Sequence, residues 1–255
     1  MFFVSQSYAV VGPAIYYGID AGAGIGDLRP NADAAEAAFR AAIISLETCP
    51  LTTIDFEYEH GYNTGNFTSM VLPDAPDVTM SQSGNDSGGA NFIGGISNDG
   101  EFPVGHNIVG YNTTVPTTGL PEPDQFVRLV PEYNMVSTLT FTFNNPLCAW
   151  GAYLTGVGTE EGDLSISLYD QSGSFLDSID VNGDPTGGVL YMGFISDRED
   201  VYKVELTLSN VPNVRDVFGL DDLSYCVVPE PATVFLLVIG GLGLLKRKSS
   251  VKGGE

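Results

Sequence analysis

The chain has 255 residues, 43% of them hydrophobic and only 16% charged, with 31 glycines; that suits one all-β domain with many turns better than a helical bundle. Ten basic against 32 acidic residues give a net charge of −22. Such a surface excludes nucleic acid as a partner, because phosphate binding needs Lys and Arg, and suits an exported protein that stays soluble or one that meets divalent cations.

At the N-terminus, MFFVSQSYA has no basic n-region and too short an apolar stretch for an h-region, yet Ser7 and Ala9 place small residues at −3 and −1 of a cleavage site. Residues 1–9 therefore read as the remnant of a signal peptide whose true start lies upstream. Residues 10–30, rich in Gly and Ala, read as a linker. The stretch NADAAEAAFRAAIISL predicts a helix over 31–46. Asn31 or Asp33 caps it, Glu36 sits in its first turn, and Phe39, Ile43 and Leu46 share one face at i, i+4, i+7.

Beyond residue 52 the apolar period is two, the signature of half-buried strands. Strands are predicted at 53–58, 137–143, 149–154, 164–169, 175–181, 189–194, 201–208 and 218–225. Turn residues separate them, as in Tyr169-Asp170-Gln171-Ser172-Gly173 and Asn182-Gly183-Asp184-Pro185. Residues 59–125 carry only weak strands, near 69–72 and 78–81, and read as long loops on one edge. Eight or more short strands at this spacing predict an antiparallel, jelly-roll-like β-sandwich over 31–226, with one N-terminal helix.

Three cysteines, Cys49, Cys148 and Cys226, have no metal-ligand spacing. Cys49 and Cys226 flank the first and last predicted strands. They bridge the domain's ends in an oxidising compartment, leaving Cys148 free, or all three remain buried thiols; the sequence leaves both open.

The C-terminal region reads VVPEPATVFLLVIGGLGLLKRK. The apolar run over 232–245, broken only by Thr233, would rise about 21 Å as a helix, against roughly 30 Å of hydrocarbon. Snorkelling and the flanking Val227 and Val228 narrow the gap. The prolines on one side and the basic cluster on the other predict a transmembrane helix, with residues before Pro229 outside and the tail over 249–255 in the cytoplasm.

This segment resembles the PEP-CTERM sorting signal. Pro229-Glu230-Pro231, the apolar run with Gly240, Gly241 and Gly243, and Lys246-Arg247-Lys248 occur in that order. The resemblance implies an exported substrate of an exosortase-type processing enzyme. It implies cleavage near Pro229-Glu230-Pro231, and a membrane-anchored precursor that ends at the cell surface or in an extracellular polysaccharide matrix. The tail after Lys248 is longer than that pattern. The body is similar to a recurring exported domain of such proteins. The likeness rests on Pro30-Asn31-Ala32-Asp33, Ile54-Asp55-Phe56-Glu57, Gly110-Tyr111-Asn112-Thr113-Thr114, Trp150-Gly151-Ala152-Tyr153-Leu154-Thr155-Gly156 and Phe218-Gly219-Leu220-Asp221-Asp222-Leu223-Ser224-Tyr225. It implies no enzymatic activity.

Catalytic signatures are missing. His60 and His106 sit in Gly-rich stretches with no nucleophile motif beside them. The expectation is a non-enzymatic surface or matrix protein; a polysaccharide-binding module is the alternative, a secreted hydrolase a further one. Asp55 and Glu57 on the first predicted strand and Asp221 and Asp222 on the last form a candidate Ca²⁺ set, since clustered carboxylates repel unless a cation joins them. The jelly-roll likeness implies the same, because carbohydrate-binding modules of that shape hold a structural calcium between chain ends. Alternatively, alternation points Asp55 and Glu57 to solvent and Asp221-Asp222 caps a turn. Tyr62 and Tyr111 are candidate sugar-stacking rings. Trp150 is expected in the core, on the face of Ala152 and Leu154.

Overall fold

Alternation of apolar and polar side chains dictates most of what is observed. The computed structural model describes residues 13–24, 27–46, 50–56, 65–84, 94–98, 125–129, 136–158, 163–198, 200–209 and 218–228. Among them run β1 (Ala14–Ala21), α1 (Pro30–Ser45), β2 (Thr52–Ile54), β3 (Gly65–Asn66), β4 (Ser69–Leu72), β5 (Ala75–Gly84), β6 (Gly94–Asn98) and β7 (Gln125–Leu129). Then follow β8 (Val136–Phe143), β9 (Leu147–Thr155), β10 (Asp163–Tyr169), β11 (Phe175–Val181), β12 (Gly188–Ile195), β13 (Lys203–Ser209) and β14 (Phe218–Val227).

The strands form two antiparallel sheets. One has eight strands in the order β1-β12-β9-β14-β7-β6-β3, with β2 also paired to β14; the other has six, ordered β11-β10-β13-β8-β5-β4. Their inner faces share one core. Trp150 is fully buried there, its ring 6.3 Å from Phe141 and stacked 6.2 Å from Phe194, as its place beside Ala152 and Leu154 predicts. At the rim of this core the Tyr225 hydroxyl donates to Asp77 at 3.3 Å, and burial with that nearby carboxylate pushes its pKa up to about 12.

Helix α1 covers the outer face of the eight-stranded sheet and forms a second apolar cluster. Its buried residues are Ala32, Ala35, Phe39 and Ile43. Leu46, expected on that face, is the C-cap and is exposed. Close approach is possible because the sheet offers glycines below. A Cβ on Gly18 would overlap the Asn31 carbonyl, and one on Gly193 would strike the Phe39 ring. Phe39 fills the space, 5.7 Å from both Tyr16 and Tyr191.

Four expectations change. The supposed linker over 10–30 contains β1, which pairs along its whole length with β12 at the sheet edge. Neither Asn31 nor Asp33 caps α1. Arg29 holds the N-cap position without a side-chain bond, and the Asp20 carboxylate at the end of β1 takes that role. It accepts from the backbone N–H groups of Asn31 (3.0 Å) and Ala32 (2.8 Å) and from the Asn31 amide (2.8 Å). Third, β2 stops at Ile54, because Phe56 turns into the core with φ of 60°. Fourth, in the region expected as long loops over 59–125, the weak strands expected near 69–72 and 78–81 are β4 and a ten-residue β5, and β3 and β6 stand where loops were expected.

Candidate functional site

The residues singled out in the sequence are only partly brought together. Strands β2 and β14 do pair, with Leu223 opposite Ile54 and Ser224 opposite Thr53. One step past that ladder lie Asp55 and Asp222. A bulge intervenes in β14, marked by φ of 48° at Asp222 and by a register shift against β9 between Asp221 and Ser224. Asp221 is fully buried, opposite Tyr153. Glu57 lies outside the described residues, and among those described no group of three or more His, Cys, Asp or Glu is placed to hold a metal ion. Tyr62, Tyr111, Cys49, Pro229, Glu230, Pro231, Lys246, Arg247, Lys248 and the apolar run between them also lie outside. Among the described residues no helix is long and apolar enough to cross a membrane. Cys148, expected as the free thiol, is disulfide-bonded, as is Cys226.

Under α1 runs a polar seam. The Tyr153 hydroxyl donates to Asp33 and Glu36, both at 2.8 Å. Arg29 lies 4.4 Å from the centre of the Tyr153 ring and pairs with Asp33 at 2.9 Å. Arg40 binds Glu36 at 2.7 Å and reaches Ser224 at 3.1 Å and Thr53 at 3.3 Å. Burial, then hydrogen bonding to Asp33 and the charge of Glu36, holds the Tyr153 phenol far above its usual pKa. Burial raises Tyr191 beside it in the same direction. These groups are bonded to one another and join helix to sheet.

The open chemistry is on the opposite face of the molecule. No described element covers the outer side of the six-stranded sheet, and its side chains stand in cross-strand rows. One row runs Ser178, Ser167, Glu205, Thr140, Ser81 and Ser69. The next runs Asp180, Ser165, Thr207, Thr138 and Ser83, with the Thr138 and Thr207 hydroxyls 3.2 Å apart. The third holds Phe175, Tyr169, Lys203, Thr142 and Thr79.

Beside Lys203 and Thr142 of that third row, past the ends of their strands, lies a cleft of about 410 Å³, lined by residues including Asn144, Asp170, Gln171 and Ser172. Its wall is the turn from β10 to β11. There Asp170 accepts from the Ser172 hydroxyl (2.7 Å) and the Ser174 N–H (2.8 Å), bonds that hold its pKa below the usual carboxylate value. Gly173 takes the positive φ of 84° that this tight turn needs. Lys203 is fixed twice, by Glu205 at 2.8 Å and over the Tyr169 ring at 3.9 Å. Tyr169 meets Phe175 edge-on at 5.9 Å, and Phe175 is 59% exposed. In the sequence, 169–173 reads as a turn only. The signal for more was the pair of aromatics bracketing a polar turn.

Residues 227–248 match the PEP-CTERM protein-sorting motif, which marks the chain as an exported protein. No curated protein matches the chain. Among solved structures, it is similar to TmCBM61 in complex with β-1,4-galactotriose, at 10% identity over 58% of this chain and 88% of that one, with a TM-score of 0.34. It is similar to the K2 cleaved adhesin domain of Lys-gingipain (Kgp), at 12% identity over 69% and 99%, TM-score 0.41. A family 11 carbohydrate-binding module of Clostridium thermocellum matches at 6% identity over 69% and 95%, TM-score 0.32.

Proposed function

From a chain that carries the PEP-CTERM motif at its C-terminus, we propose a non-enzymatic protein of the cell surface or extracellular matrix, delivered there by an exosortase-type processing enzyme. One observation carries this reading: the motif begins at Val227, the last residue of β14, so a folded sandwich runs directly into a sorting segment. Among the described carboxyls, Asp170, Asp184 and Asp200 are held below the usual carboxylate range by hydrogen bonds, the direction opposite to that of a carboxyl tuned as a general acid.

The test compares the full chain with one ending at Cys226 in the native host. The full chain is expected in the cell-envelope or matrix fraction, with a C-terminal peptide ending near Pro229-Glu230-Pro231. The truncated chain is expected in the medium. Equal partition of the two, with an intact C-terminus at 255, overturns the reading.

A second reading, polysaccharide binding, is favoured by the cleft on the six-stranded sheet. Hydroxyl, amide and ammonium groups line it, and the exposed Phe175 ring follows farther along the same row, packed on Tyr169, a mix that suits a polar ligand with an apolar face.

A further inference from the structure

We propose that this cleft, with the Phe175 ring and the hydroxyl rows beside it, is a binding site for an uncharged saccharide chain. The inference rests on the second reading above and assigns it a place and a ligand class.

The fixed charges at the site are already committed. The Lys203 ammonium is held by Glu205 and the Tyr169 ring, and the Asp170 carboxylate is turned back onto Ser172 and Ser174 of its own turn. An anionic polymer would therefore meet a neutralised ammonium on a chain of net charge −22. Asp170 keeps its charge, since both bonds come from neutral donors and end on Oδ1, and that charge further disfavours an anionic ligand.

What remains for a ligand is neutral. Thr142 offers a hydroxyl, and Asn144 and Gln171 offer amides that donate and accept at once. That matches a ligand whose own groups are hydroxyls. A pyranose ring also has an apolar C–H face, and Phe175 supplies the flat, exposed partner for it, braced by Tyr169 from the side. The cavity volume lies in the range of small-ligand pockets. Beyond it, neighbouring strands repeat hydroxyls about every 4.8 Å, so a longer chain continues to find partners across Thr140, Ser167, Thr138 and Thr207.

The experiment is calorimetric titration of the full chain, in a detergent without sugar headgroups, at 0.15 M salt. The probes are three neutral hexasaccharides, of β-1,4-glucose, β-1,3-glucose and α-1,6-mannose, and one anionic polyuronate hexamer. At least one neutral probe is expected to bind, and the polyuronate is not. Phe175→Ala should weaken binding about fivefold to tenfold, and Gln171→Ala should weaken it also. Both side chains lie outside the core, so thermal melts should match wild type. Leu28→Ala, 91% exposed in the segment between β1 and α1, should bind as wild type does. Binding of a neutral probe that neither cleft variant changes overturns the site while leaving polysaccharide binding intact. Binding of the polyuronate alone overturns the ligand class. No binding to any probe overturns both.

Discussion

Tyr153 shows how much a single hydroxyl does in this fold. Its proton serves two carboxylates of α1, and its ring lies beneath Arg29. The raised pKa stabilises the fold below the ordinary tyrosine value of about 10, because the neutral phenol is the form that donates. That stability is lost as pH rises past 10 toward the higher folded value. Tyr153→Phe is expected to cost about 1.5 kcal/mol at pH 7, the low end for charged partners, since Asp33 is half exposed. Urea melts from pH 7 to 11 check this: the wild type should lose stability above pH 10 and the variant should lose less. Parallel slopes would remove the role given to this hydroxyl. None of this was legible in the sequence, because donor and acceptor lie 120 residues apart. Trp150 was legible, since its place in the core follows from alternation alone.

At the level of elements, strands with clean alternation were found within a residue or two: β8 buries Ser137, Leu139, Phe141 and Phe143, and β13 buries Val204, Leu206 and Leu208. Strand β1 was missed because its sequence, AIYYGIDA, shows no clean period of two: a glycine sits in its middle and α1 covers one face. Missing β1 also hid the helix cap. An N-cap search looks at neighbours in sequence, while Asp20 arrives from a strand eleven residues before Asn31. Asp20→Ala is expected to cost about 1–2 kcal/mol. Amide exchange should accelerate at Asn31 and Ala32 while the β8–β13 ladder keeps its protection. Unchanged exchange in the first turn would mean that water replaces the carboxylate. Asp20→Asn, which keeps one acceptor oxygen, should fall between.

For the whole molecule, two sheets around one core were readable from composition and turn spacing. The face that carries the helix was not, because the glycine trough at Gly18, Gly151 and Gly193 forms only when β1, β9 and β12 are side by side. The candidate cleft was hidden for the same reason: it joins the end of β8 to the turn after β10 and the start of β13. The oxidation state is a property of this scale too. Cys148 and Cys226 lie on paired central strands and are both disulfide-bonded. Reduction under otherwise native conditions is expected to destabilise the protein by about 2–5 kcal/mol. Peptide mapping of the exported protein should recover both cysteines oxidised, and recovery of Cys148 as a thiol would contradict it.

Strand β14 is flanked along its length, by β9 on one side and by β7 and then β2 on the other. It is also the strand from which the sorting segment leaves. Whatever holds the chain beyond residue 228 therefore pulls along the axis of a central strand. A force in that direction loads the ladders on both flanks in shear, many hydrogen bonds at once, where an edge strand would peel away bond by bond. Cys226 sits one residue from the exit, so its disulfide shares that tension with a covalent bond. A molecule held there, with a saccharide in the proposed cleft, should let go of the ligand before the sandwich itself tears.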